Sequence, residues 1–193
     1  MNLYPKPAFR RRQAAAVGLA LLLSSCAPGS DLPPLPHQSE GPYRLGSNDE
    51  VKVTVFGQEQ LSGEFHVNDS GNIDMPLLGI VHAGGLSITQ LAQSIQHALV
   101  ARSLLEKPTV AVDVVSYRPV FVLGEVNKPG RYPFEPGMSV LTAVAVAGGF
   151  TYRAVTGYAS VLRRTNGHVV EGRARRTTLL EPGDVVDILE RHF

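Results

Sequence analysis

The stretch that most constrains this chain is Arg118 to Phe134, RPVFVLGEVNKPGRYPF. Val120 and Val122 alternate with Phe121 and Leu123, and a period of two sends successive side chains to opposite faces of a sheet. Gly124 and Pro129-Gly130 follow with turn chemistry: proline holds φ near −65°, and glycine accepts the positive φ that a tight reversal needs. Arg131-Tyr132 then resumes an extended path. The stretch reads as a β-hairpin with a tip of about five or six residues. One α+β pattern lies before it and another after it.

Upstream, Val51, Val53 and Val55 alternate with Lys52, Thr54 and Phe56, which gives a strand one apolar face. Asn48 stands just before this strand, and asparagine tolerates positive φ better than most residues. A further hairpin is signalled at Asn68-Asp69-Ser70-Gly71-Asn72, ahead of Ile73-Asp74-Met75. Ser87-Ile88-Thr89-Gln90 has the form of a capping box, so a helix starts there. Ile88, Leu91, Ile95, Ala98 and Leu99 make its buried stripe. Pro108 follows its end, and Val110, Val112 and Val114 mark a returning strand. The expected unit is a helix packed on a small mixed sheet.

Downstream, Ser139 is placed to cap a short helix from Val140 to Ala147, which Gly148-Gly149 ends in a left-handed turn. A phosphate-cradling role for this glycine pair is disfavoured, because such loops precede a helix whereas these residues follow one. Asn166-Gly167 is a strong hairpin signal between Ser160 to Arg164 and His168 to Glu171. Glu181-Pro182-Gly183-Asp184, leading into Val185 to Leu189, echoes the turn at Asn48-Asp49-Glu50-Val51.

The run Gly124-Glu125-Val126-Asn127-Lys128-Pro129-Gly130-Arg131-Tyr132, then Ala147-Gly148-Gly149, then Glu181-Pro182-Gly183-Asp184-Val185-Val186, closely resembles the SLBB (soluble-ligand-binding β-grasp) module of bacterial polysaccharide export proteins. Residues 43–116 resemble the polysaccharide-export domain that precedes it in those proteins. The implied fold class is α+β, a small mixed-sheet export domain over 43–116 followed by a β-grasp-like SLBB domain over 117–193.

The N-terminus carries Lys6, Arg10, Arg11 and Arg12, then an apolar run from Ala14 to Leu23 that ends at Leu23-Ser24-Ser25-Cys26. This is the pattern of a secretory signal over residues 1–25, too short to span a bilayer as a mature helix. The last four residues resemble a bacterial lipobox, which implies cleavage between Ser25 and Cys26 and lipidation of Cys26. Cys26 is the chain's single cysteine, so no internal disulfide forms. Ala27 after it implies, by the same resemblance, sorting to the outer membrane, facing the periplasm. Residues 26–42, with Pro28, Pro33, Pro34, Pro36 and Pro42, read as a proline-stiffened tether that holds the body away from the lipid, with a reach of about 45 Å.

The formal charge of +1 comes from that basic leader; the body beyond it is acidic, about −3. Nucleic acid is therefore not an expected partner. His37, His66, His82, His97, His168 and His192 show no ligand spacing, so no metal or other cofactor is expected. No serine sits in a nucleophile-elbow setting, and Glu125 reads as a turn residue; no enzymatic activity is implied. One dense charge cluster remains, Arg163, Arg164, Arg173, Arg175 and Arg176, whose two groups the hairpin is expected to bring together. It fits a solvated edge that discourages sheet aggregation, a contact with Glu181, Asp184 and Asp187 of a neighbouring subunit, or attraction of an anionic glycan. The chain has no Trp, which weighs against a site that grips sugars by stacking.

What the resemblance implies is an outer-membrane lipoprotein forming part of a homo-oligomeric ring that guides exported polysaccharide by confinement. Its implied partners are the polymer, an inner-membrane polysaccharide co-polymerase or tyrosine kinase, and a membrane reached through the lipid anchor. No segment after Glu181 is long or apolar enough to span, so a separate outer-membrane channel is an expected further partner. A monomeric periplasmic module binding a glycan or small ligand is the alternative.

Overall fold

The computed structural model describes residues 28–36, 41–165 and 167–191. In the first unit the valine alternation forms β1 (Glu50–Val55), with Val51, Val53 and Val55 almost wholly buried. It is the middle strand of an antiparallel sheet, between β2 (Gly63–His66) and β5 (Val110–Ser116). β3 (Asn72–Met75) and β4 (Gly79–His82) pair only with each other, also antiparallel.

All three ladders of this unit are thus antiparallel, and among the described residues parallel pairing occurs only in the second unit. The turn at Asn68 forms as expected: its side-chain oxygen accepts from the Ser70 and Asn72 amides at 3.0 Å each. It does not join two strands of one sheet, however, but carries the chain from β2 over to the β3–β4 pair.

Helix α1 (Ile88–Ala101) begins with both halves of its capping box, Gln90 N donating to Ser87 Oγ and Ser87 N to Gln90 Oε1. Leu91, Ile95 and Leu99 are fully buried, in one core with the β1 valines and with Val110 and Val112 of β5, the strand the helix packs on. Ile88, read as part of that stripe, is the first residue of the helix and is 36% exposed. Three fully buried aliphatic side chains stabilise the helix–sheet contact by about 5–9 kcal/mol, an upper figure because the unfolded chain already buries part of that surface.

The second unit is a five-stranded mixed sheet in the order β7-β6-β10-β8-β9. The expected hairpin is β6 (Val120–Gly124) with β7 (Gly130–Tyr132), its ladder closing at Val122 and Gly130. The tip, residues 123–129, is longer than the turn chemistry indicates, because the end of β6 pairs instead with β10 (Val185–Ile188) in parallel. Gly124 is needed there: φ is +75°, and a Cβ would meet the Ile188 carbonyl at 2.2 Å.

Helix α2 (Val140–Val146), capped by Ser139, lays Val140, Ala143 and Val144 on the sheet and ends at Gly148 and Gly149, both at positive φ. β8 (Tyr158–Thr165) and β9 (His168–Arg175) flank the expected reversal, and β9 runs on past Glu171 to Arg175.

Part of the proline-rich stretch is not a free tether. Pro33 O accepts from Arg173 N at 2.7 Å, and Leu35 N donates to Arg173 O at 3.0 Å, so residues 33–35 lie along the outer edge of β9. Leu35 is buried in the second core, over Gly172. The proline ring removes a donor, but a strand lying on one edge needs only alternate amides, and Leu35 supplies that bond.

Candidate functional site

Two turns of the same design face a cleft between the units. Gly46-Ser47-Asn48-Asp49 and Glu181-Pro182-Gly183-Asp184 each close with the aspartate amide donating to the first carbonyl at 3.1 Å. Each has positive φ at its third residue, +71° at Asn48 and +90° at Gly183, the requirement of a type II turn. In each the aspartate side chain is buried and accepts from the backbone N of the turn's first residue at 2.8 Å. The resemblance between these two sequence stretches is therefore structural.

Both buried carboxylates are matched by an arginine. Arg163, 3% exposed, donates through Nε and Nη2 to Asp184 at 3.1 and 2.7 Å, through Nη1 to Glu181 at 3.0 Å and through Nη2 to the Leu179 carbonyl. The fork geometry satisfies the carboxylate in a bidentate manner. Asp49 accepts from the Arg118 amide at 2.9 Å and from Tyr43 Oη at 2.6 Å, with Arg118 Nε 3.7 Å away. Burial, reinforced by donation to Asp49, raises the Tyr43 hydroxyl pKa well above its usual range, so this group stays a hydrogen-bond donor. Tyr117 packs edge-on against Tyr43 and Phe134, at 5.0 and 5.6 Å between ring centres, which ties the two units together at this point.

The cleft has a volume of about 910 Å³ and is bounded by both turns, His66 and Asn68 from the first unit, and Phe121, Arg131 and Arg164 from the second. Its carboxylates at Asp184 and Glu181 are engaged by Arg163, while Arg131 and Arg164 are exposed with no paired carboxylate among the described residues. The wall therefore presents positive charge to anything entering. Among the described residues no group of three His, Cys, Asp or Glu side chains converges to hold a metal.

The hairpin does not bring the arginine cluster together. Arg163 and Arg164 lie opposite Val170 and Val169, whereas Arg173 and Arg175 lie opposite Ser160 and Tyr158, toward the other end of the same ladder. Arg163 shares the core-facing side with Ala159 and Val161 and leaves the cluster altogether. Its partners Glu181 and Asp184, which one of the three readings of the cluster places on a neighbouring subunit, belong to its own chain. Asp187 lies on the opposite face of the sheet, where burial and then the Glu171 carboxylate raise its pKa. Arg173, Arg175 and Arg176 line a separate hollow with Gly157, Tyr158 and Thr177. Ser25 and Cys26 lie outside the described residues. Sequence reasoning missed Asp49, Tyr43, Arg118 and Arg131; the one available signal was the repeated turn, which marks Asp49 and Asp184 as equivalent.

Residues 37–115 match the polysaccharide biosynthesis/export protein family, and residues 119–174 match the SLBB domain. Exopolysaccharide production protein ExoF of Rhizobium meliloti (strain 1021) is 32% identical over 155 residues, covering 75% of this chain and 36% of that protein. Polysialic acid transport protein KpsD of Escherichia coli is 31% identical over 113 residues, covering 55% of this chain and 19% of that protein. The chain thus spans about a third of the first relative and about a fifth of the second. The chain carries a polysaccharide biosynthesis/export family domain followed by an SLBB domain, on an α+β framework that shows small sheets and two α-helices among the described residues.

Proposed function

We propose that the protein is a lipid-anchored, periplasm-facing component of the outer membrane that assembles as a homo-oligomeric ring and guides exported polysaccharide by confinement, without catalysis. The observation that carries this reading is the order of the two domains, with relatives named for exopolysaccharide production and polysialic acid transport. In the same reading residues 1–25 are a cleaved signal, Cys26 bears the lipid, and the domains run over 43–116 and 117–193. The second boundary is supported by β10, which lies beyond the matched SLBB residues yet sits at the centre of the sheet. An inner-membrane co-polymerase or tyrosine kinase is the proposed partner below. No helix among the described residues is long and apolar enough to cross a membrane; in this reading attachment is through Cys26.

The decisive experiment is an in-frame deletion, complemented by the wild type and by Cys26→Ser, with polysaccharide assayed on the surface and inside the cell. The expected outcome is polymer retained in the deletion strain, and release of the Cys26→Ser protein from membrane fractions. Unchanged surface polymer would refute the role in export. One feature favours a second reading, a monomeric module holding an anionic glycan end: the cleft wall with Arg131 and Arg164, which have no paired carboxylate among the described residues. Light scattering of the protein with and without an anionic oligosaccharide separates the two, a persistent monomer that binds sugar supporting the second.

A further inference from the structure

The segment that follows Cys26 arrives beside the exposed arginines. Tyr158 Oη donates to Pro28 O at 2.7 Å, and Arg173 Nη1 reaches Ser30 O at 3.4 Å. The Arg173 guanidinium lies 5.6 Å from the centre of the Tyr158 ring. Tyr158 is directly opposite Arg175 in the β8–β9 ladder. These residues, with Arg176 and Thr177, line an open hollow of about 390 Å³. Arg175 and Arg176 are exposed, and no carboxylate is paired with them among the described residues.

Only two peptide links separate Pro28 from Cys26, at most about 7 Å of chain. That reach is comparable to the screening length of about 8 Å at physiological ionic strength. A free tether of fifteen residues would let the body take any orientation; a segment held to β8 at residue 28 and to β9 from residue 30 onward keeps this one face near the anchor.

We propose that the face carrying Arg173, Arg175 and Arg176 lies against the anionic phosphate headgroups of the membrane that holds Cys26, with residues 28–35 as the strap that keeps it there. This rests on the reading of Cys26 as the lipid anchor. Arg175 and Arg176 meet headgroup phosphates, which accept from the guanidinium fork. Arg173 holds the strap, through its main chain to Pro33 and Leu35 and its side chain to Ser30.

Because the chain has no Trp, Thr177→Trp supplies a single fluorescent reporter in the hollow, and Glu106→Trp supplies a comparison reporter on the first unit. The acylated full chain is reconstituted on vesicles of phosphatidylcholine, with or without phosphatidylglycerol, that contain a headgroup-nitroxide quencher. The reporter in the hollow is expected to be quenched on the anionic vesicles and the comparison reporter spared. Each arginine at an anionic leaflet is worth about five-fold, so Arg175→Gln with Arg176→Gln weakens the apposed orientation on the order of 25-fold. Emission then returns to the comparison level, as it does in 1 M salt, where screening falls to about 3 Å.

Gly172→Ala directs a Cβ to within 2.6 Å of the Leu35 backbone and is expected to give the same return with no change in charge. An acylated, vesicle-bound chain whose two reporters are equally bright on anionic vesicles overturns this inference alone. A chain that lacks the acyl mass and does not float with vesicles overturns it together with the anchor reading.

Discussion

Arg163 shows how one residue's role depends on which face of a strand it occupies. Two positions from Val161, it points into the core, where it meets the buried Asp184 carboxylate and Glu181. Removing one partner of such a pair leaves an uncompensated buried charge. Arg163→Ala is therefore expected to lower stability by about 3–5 kcal/mol in urea unfolding, and Arg163→Ala with Asp184→Asn to recover part of that loss. A loss below about 1 kcal/mol would be the figure for a surface pair and would contradict the burial argument.

Asp187 behaves in the opposite sense. Burial and then Glu171 raise its pKa in the folded state, so folding disfavours its charged form. The stability tied to its protonated form is complete below the unfolded value near 3.9 and is lost as pH rises through the folded value. Asp187→Asn should thus raise the unfolding midpoint at pH 7, with the advantage over wild type shrinking toward pH 3.5. A constant difference across that range would show that the carboxylate's charge is not the cause.

Among the elements, the edge of β9 is the one whose state matters most. An unpaired edge is a template for pairing with another chain, and here residues 33–35 cover it through two hydrogen bonds at Arg173. Gly172 makes the approach possible, since a Cβ there would meet Leu35 Cα at 2.6 Å and N at 2.8 Å. Gly172→Ala is expected to undock the segment, increasing hydrogen exchange at the Leu35 and Arg173 amides by about ten-fold or more while the β8–β9 ladder stays protected. Unchanged exchange at Leu35 would mean that the sheet accommodates the methyl group.

Helix α1 and its cap were legible in the sequence because the capping box and the spacing of Leu91, Ile95 and Leu99 are local properties of a 3.6-residue period. The partner of β3 was not, because the turn at Asn68 is equally compatible with a hairpin and with a passage between sheets. Only the pairing of β3 with β4, in a sheet of their own, decides between them.

For the whole molecule, the two units meet through Tyr43, Asp49, Tyr117, Arg118 and Phe134. Each edge-on aromatic contact is worth about 0.5–1.5 kcal/mol beyond its buried area. Tyr117→Ala combined with Arg118→Ala should therefore uncouple the units, so that calorimetry resolves two unfolding transitions where the wild type gives one. A single transition in the variant would place the coupling elsewhere.

The sequence alone determined the α+β class, the order of the two domains, the strand of Val51, Val53 and Val55, both helix caps and the two matching turns. Each of these depends on side-chain period, or on backbone preferences within a few residues. Tertiary structure alone decided that Arg163 is a core ion pair, that β10 lies between β6 and β8, that the cleft is walled by turns more than 130 residues apart, and that residues 33–35 lie on β9. These depend on register and long-range pairing, where a shift of one residue turns every side chain to the other face.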